Sequence, residues 1–327
     1  MVENYGLPYT GSKSRIAHWV IDHLPQGHVL IDAFAGGCAI THRALLSQKW
    51  QTVIANDING KYTQLFADAV HGKYRDERRW ISREDFERLK AKDAFVACCW
   101  SFGNDLRSYM YSQVIEPYKR ALHYAFLFDD FAQMQELMPE VARAVAEALI
   151  GQRNLHDRRV TAQKVIVKTL KRLTGDNYAH QIIQSNPLYR TIRHTSRNTQ
   201  ILQSLESLER LERLQILQIL QSLQSLESLQ ITSQSYDEID IPDDAVVYCD
   251  PPYHANKKLL YEGTAKEFDH CAFYDWCVRV SKTNPIFISE YSIEDDRFEI
   301  VAEKQKLTSL ASVKSFNVTE RLYTVKK

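Results

Sequence analysis

Net charge is the first thing this sequence lacks: 41 lysines and arginines balance 41 aspartates and glutamates over 327 residues. With no whole-molecule field, any affinity for a polyanion has to come from local patches. Long hydrophobic runs are missing too, since no stretch approaches the ~18 consecutive apolar residues of a membrane-spanning helix. The opening residues, MVENYGLPYT, have neither the basic start nor the apolar segment of a secretory signal. A soluble, cytoplasmic protein is therefore expected. The six cysteines, at 38, 98, 99, 249, 271 and 277, form no CxxC pair with zinc-site spacing and read as reduced, buried thiols. No metal is expected. A GxGxxG loop is absent as well, which removes the simplest nucleotide-binding signature.

What is present is alternation. SRIAHWVIDHLP sets Ile16, Trp19 and Val20 on one helical face before Pro25 stops it. HVLIDAFAGGCAITHRALLS reads as apolar strand, glycine turn and helix, and TVIANDINGKYTQLF repeats that scheme. Near the end of the chain, AVVYCD and PIFISEYS add two strands, with CAFYDWCVRVSK as the helix between them. Strand–turn–helix units in series predict a parallel sheet with crossover helices. Residues 1–70 and 231–327 are thus expected to form one α/β domain, interrupted by insertions at 71–200 and 201–230.

Three places carry chemistry. In DAFAGG, Asp32 ends a strand while Gly36 and Gly37 open the next helix, where glycines allow close backbone approach to a ligand. Asp57 follows about 20 residues on at the tip of the second strand, where an acid suits the hydroxyls of a ribose. The third is AVVYCDPPYH. Pro251 and Pro252 cannot extend a ladder, so they fix a rigid turn that presents acceptors, the Asp250 carboxylate and the Pro251 carbonyl. Two close acceptors suit an amino group that donates its protons while its lone pair attacks, and Tyr253 supplies a flat face for a planar base.

These motifs and their order resemble the Dam-type (D12 class, alpha group) N6-adenine-specific DNA methyltransferases. YTGSK is similar to the family's glycine–lysine motif, DAFAGGCAI to its cofactor loop, NDIN to its ribose-binding acid, and SQSYDEI with DDAVVYCDPPY to the strands leading into its catalytic loop. The resemblance covers roughly 5–70 and 231–327. It implies a Rossmann-like S-adenosylmethionine-dependent methyltransferase domain with a mostly helical inserted target-recognition domain. It implies that Tyr9, Lys13, Asp32, Phe34, Gly36 and Asp57 line the S-adenosylmethionine pocket, bordered by Asp250, with Ser235 and Tyr236 at the cofactor's adenine. Asp250, Pro251 and Tyr253 would hold a target adenine flipped out of duplex DNA. DPPY-type loops also serve enzymes acting on RNA adenine or cytosine N4, and a non-catalytic DNA-binding relative is a further alternative. Glu290 stands where many relatives have asparagine, and Pro8 near a position where GATC-specific relatives carry a lysine, so GATC specificity is not transferred.

The middle of the chain resembles the family loosely around SFGNDLRSYMYS, which contains Arg107. RRWISREDFERLKAKDAFVACCW and FAQMQELMPEVARAVAEALI read as helices. From 152 to 200 arginines and lysines far outnumber Asp157 and Asp176, with Tyr178 and Tyr189 interleaved, a composition suited to a phosphate track. Arg107, Arg158, Arg159, Lys168, Arg172 and Arg190 are the candidate DNA contacts. Leucine then recurs every third residue from Leu202 to Leu229. On an α-helix each step of three falls about 60° short of a turn, so that stripe would wrap the whole cylinder. A small solenoid-like stack is the expectation, as an insertion tolerated on the surface.

Overall fold

The computed structural model describes residues 5–113, 115–152, 155–175, 228–253, 268–310 and 314–327. Two compact units emerge, Met1–Arg75 with Leu217–Lys327, and Asp76–Ile216.

The first unit is built on a seven-stranded sheet in the order β3-β2-β1-β4-β5-β7-β6. The strands are β1 (Val29–Asp32), β2 (Thr52–Asn56), β3 (Leu229–Thr232), β4 (Val246–Cys249), β5 (Ile286–Glu290), β6 (Phe298–Leu310) and β7 (Lys314–Val325). All residues of β1, β4 and β5 are buried, which explains their unbroken apolar runs: helices cover both faces of a parallel sheet. β1 pairs in parallel with β2 and β4, β2 with β3, and β4 with β5. β7 inserts antiparallel between β5 and β6. The helices of this unit are α1 (Ala17–His23), α2 (Ala39–Ser47), α3 (Gly60–Val70) and, late in the chain, α10 (His270–Val280). Asp269 caps α10 by accepting from the Ala272 amide at 3.0 Å. Under the sheet, Ile31, Val247, Cys249 and Ile288 pack with Phe273 and Trp276 of α10.

Strand, glycine turn and helix fall where the sequence places them. The β6–β7 ribbon was not legible there. β3 begins at Leu229, the last leucine of the triplet repeat; residues 201–227 of that repeat lie outside the described residues, as does Arg190.

The described part of the second unit is helical: α4 (Arg83–Leu89), α5 (Ala94–Trp100), α6 (Glu116–Phe128), α7 (Ala132–Leu137), α8 (Pro139–Leu149) and α9 (Leu155–Gly175). Asp93 starts α5 by accepting from the Phe95 amide at 3.0 Å. Trp80 stacks on Tyr111 at 5.3 Å and meets Trp100 edge-on at 4.7 Å, with the His123 ring against both indoles.

Candidate active site

β1 has β2 on one side and β4 on the other, so the strand order reverses there. In an open α/β sheet, ligands bind beyond the carboxyl ends of the strands at such a switch point. The DAFAGG turn leaves the end of β1 and the DPPY turn the end of β4, and these strands are hydrogen-bonded neighbours. Two motifs more than 200 residues apart in sequence are thereby one strand spacing apart. The Ala33 amide donates to the Tyr248 carbonyl at 2.9 Å, carrying the pairing to the last residues of both strands.

Asn56 ties the neighbouring ends together. It is 1% exposed, donates through Nδ2 to the carbonyls of Ala33 and Gln234 at 3.0 Å, and accepts from the Thr232 hydroxyl at 2.8 Å and the Gln234 amide at 3.0 Å. One side chain thus locks the ends of β1, β2 and β3. Asp57, next in sequence, is left half-buried at the crevice, where it accepts from the Gly36 and Asn59 amides, each at 2.8 Å. Burial raises its pKa, against the pull of those two amides. A carboxylate has about four acceptor positions, so two amide bonds orient Asp57 and leave capacity for hydroxyl donors.

The glycines are required by their neighbours. Gly36 has φ +47°, and a Cβ on Gly37 would lie 2.5 Å from Cβ of Tyr9. Tyr9 comes from the N-terminal segment, which docks through the Leu7 amide on the Gly37 carbonyl at 2.7 Å and the Gly6 amide on His42 Nδ1 at 2.9 Å. Phe34 stacks on Tyr236 with centroids 5.6 Å apart, and Phe268 and Phe273 close round both rings. Ser235 precedes the short turn holding Tyr236, and its hydroxyl donates to Asp237.

At the DPPY turn, Lys13 reaches both oxygens of Asp250, at 2.6 and 2.7 Å, and its ammonium lies 4.5 Å from the centre of the Tyr253 ring. This ammonium donates to the acceptor, and rests on the face, that the sequence assigns to an amino group and its base. Tyr253 is buried, its hydroxyl donates to Glu320, and it packs perpendicular to Tyr291 with ring centres 4.5 Å apart. His270, at the start of α10, lies 2.8 Å through Nε2 from the Pro252 carbonyl. Sequence reasoning missed Asn56, His270, Tyr291 and Glu320. The signal for Asn56 was present, as a polar residue ending a buried strand.

Two expectations need correcting. Asp32 does not open onto a ligand: it is 1% exposed and its carboxyl accepts from the Thr41 amide and hydroxyl at 3.1 and 2.7 Å. It holds the start of α2, and burial pushes its pKa up to about 7, with Asp250 and Asp57 adding to the rise. Arg158 is not on a solvated track. It is buried, donating to the carbonyls of Gln152 and Phe126 at 2.9 and 3.1 Å and pairing with Asp129. Glu290 is 1% exposed and sits inside the sheet. Lys168, Arg172 and Arg107 are exposed, with Arg172 3.4 Å from Glu140. The Arg159 side chain lies outside the described residues.

A mostly parallel sheet thus carries a glycine turn, an acid and a proline-braced acceptor loop at its switch point, where α/β enzymes bind their ligands. The sequence profile of the D12 class N6 adenine-specific DNA methyltransferases matches residues 9–139 and 159–323. The chain belongs to that family. Its activity is accordingly methyl transfer to adenine in DNA. No curated protein matches the chain. Among the described residues, no cluster of His, Cys, Asp and Glu is arranged to hold a metal ion, and no helix is long and apolar enough to cross a membrane.

Proposed function

We propose that the chain methylates N6 of an adenine flipped out of duplex DNA, with S-adenosylmethionine as methyl donor and the second unit engaging the DNA target. The observation that carries this reading is the Lys13 ammonium held between the Asp250 carboxylate and the Tyr253 face. A hydrogen-bond donor already occupies the place an exocyclic amine would take, on a ring suited to stacking a base.

The residues fit the proposed cofactor. The Gly36–Gly37 turn is a cradle that any Cβ would crowd against Tyr9, Asp57 keeps acceptor capacity for ribose hydroxyls, and Phe34 and Tyr236 offer half-buried aromatic faces for an adenine. The carboxyls of Asp57 and Asp250 suit a cationic ligand. When bound, S-adenosylmethionine supplies an electrophilic methyl group on a sulfonium.

Adenine N6 is a poor nucleophile because its lone pair is delocalised into the ring. Asp250 and the Pro251 carbonyl accept hydrogen bonds from the two N6 protons, which favours localising that pair on nitrogen. Tyr253 holds the base plane, and the proline pair keeps the acceptors from turning away. For this, Lys13 must leave Asp250 as the amine arrives, so that one donor replaces another without leaving the carboxylate unpaired. Orientation and preorganised electrostatics then supply the acceleration.

Transfer of labelled methyl to duplex DNA, RNA and protein, assayed in parallel, tests the substrate class. Label appearing only on adenine in duplex DNA is the expected outcome. Asp250→Ala should abolish transfer while cofactor affinity, read by calorimetry, stays within a few-fold. Near-normal turnover by that variant would remove Asp250 from the chemistry.

A further inference from the structure

Glu320 is the least accessible charged side chain near the strand ends, at 0% exposure. A carboxyl group is rarely taken fully out of water unless specific partners compensate its desolvation. One donor to it is the hydroxyl of Tyr253, 67 residues away in sequence. Building on the proposed reaction, we infer that Glu320 is a positioning residue, which sets the tilt of the Tyr253 ring so that its face is presented to the target base.

The geometry explains why such a tether is needed. Pro251 and Pro252 fix the backbone of the turn, but they leave the side-chain torsions of Tyr253 unset. A hydrogen bond at the hydroxyl acts at the far end of the ring from Cα, where a small displacement changes the tilt most. Tyr291 packs against the ring with the planes 89° apart, and the Lys13 ammonium lies over the ring 4.5 Å from its centre. Glu320 itself is well anchored. β7 pairs with β6, where Glu320 lies opposite Lys304, and with β5 from Arg321 to Thr324, starting at the next residue. A residue inside one ladder and adjoining a second has a stiff support for a reference point. Fixing Tyr253 to the sheet, rather than to its own loop, makes the ring's orientation independent of loop motion.

The test combines Glu320→Ala, Glu320→Gln, Tyr253→Phe and the double variant Tyr253→Phe/Glu320→Ala, assayed on a duplex that the wild-type protein methylates. Tyr253→Phe keeps the ring and removes the same hydrogen bond from the other end. Glu320→Ala should lower kcat on the order of 10- to 100-fold, the scale of a misplaced reacting group, with KM for DNA changed less than about threefold. Glu320→Gln, whose amide oxygen still accepts from the hydroxyl, should recover most of that loss. Tyr253→Phe should reproduce the loss of kcat and quenching, and the double variant should be no worse than Glu320→Ala, because both changes delete the Tyr253–Glu320 hydrogen bond. With 2-aminopurine at the modified position and no cofactor present, the fluorescence quenching by the stacked ring should fall in Glu320→Ala and return in Glu320→Gln. A purely structural role would lower the thermal midpoint without this pattern.

Wild-type kcat in Glu320→Ala, or losses that multiply in the double variant, would overturn the inference and leave the proposed reaction standing. If Glu320→Ala does not fold, wild-type turnover and quenching in Tyr253→Phe are sufficient to overturn it. Absence of adenine methylation by the wild-type protein would overturn both.

Discussion

Asp32 and Asp57 are carboxylates at the ends of adjacent parallel strands, yet their surroundings give them opposite tasks. Asp57 is oriented by two backbone amides at the crevice, so its replacement should be felt by a ligand. Asp57→Ala should weaken S-adenosylmethionine binding by about 10- to 100-fold, the range for losing a charge-assisted hydrogen bond. Unchanged affinity in calorimetry would place the ribose elsewhere. Asp32 is closed in with Thr41, so its replacement should be felt by stability. Its folded-state pKa is about 7, against an ordinary 3.8. The proton is therefore held more tightly in the folded protein. The resulting stabilisation is complete below pH 3.8 and is lost as pH rises to about 7. Asp32→Asn keeps an acceptor for Thr41 without the charge. Relative to wild type, it should gain stability progressively as pH rises from 3.8 to about 7 and level off above that. Urea unfolding that shows a pH-independent difference between the two proteins would remove Asp32 as the cause.

Helix α9 shows what a residue list conceals and an element reveals. Arg158 shares its face with Ala162, Ile166 and Thr169, all buried, at the four-, four- and three-residue steps of one helical side. Lys164, Lys168 and Arg172 lie on an exposed side of the same helix. Read by composition, the arginines and lysines are equivalent; read by helical period, Arg158 belongs with the core. Arg158→Ala should therefore destabilise the second unit by about 2–3 kcal/mol, since it strands two carbonyls, without altering the salt dependence of DNA binding. Lys168→Ala should behave the other way, lowering the salt slope by about 0.9 if it meets a phosphate on duplex DNA, with stability nearly unchanged. Equal salt slopes for wild type and Lys168→Ala would take that helix off the phosphate path. The contrast also marks how much was legible in the sequence. DAFAGG, NDIN and DPPY could be read because each is a strand end and its turn, a local pattern whose chemistry is carried by neighbouring residues. Glu320 and His270 could not, because what draws attention to them is contact with Tyr253 and Pro252, which are not their neighbours in sequence. The β6–β7 ribbon escaped because EIVAEKQKLTSL, a strand at the edge of the sheet, mixes charged and apolar residues without clean alternation.

At the scale of the whole molecule, two compact units with different interiors should answer acid in opposite directions. In the first unit, Asp32 favours the folded state more as pH falls below about 7. In the second, His123 is buried among Trp80, Trp100 and Phe128, and burial pushes its pKa down to about 4 from 6.5, against the hydrogen bond to the Arg78 carbonyl and the charge of Glu77, with the Arg78 charge adding to the fall. A depressed histidine pKa means that the folded state prefers the neutral ring. Its stabilising contribution is complete above pH 6.5 and is lost as pH falls towards 4. Mild acidification should therefore loosen Asp76–Ile216 while it relieves the desolvated carboxylate in the other unit. Hydrogen exchange resolved by peptide, corrected for intrinsic rates and compared at pH 7.5 and pH 5, reads the two separately. Protection in α5 and α6 should fall at pH 5, and protection in β1 and α2 should hold or rise. His123→Gln should flatten the first response and leave the second untouched. Parallel loss of protection in both units, or an undiminished acid response in His123→Gln, would mean that groups other than these two buried side chains govern the acid stability of the protein.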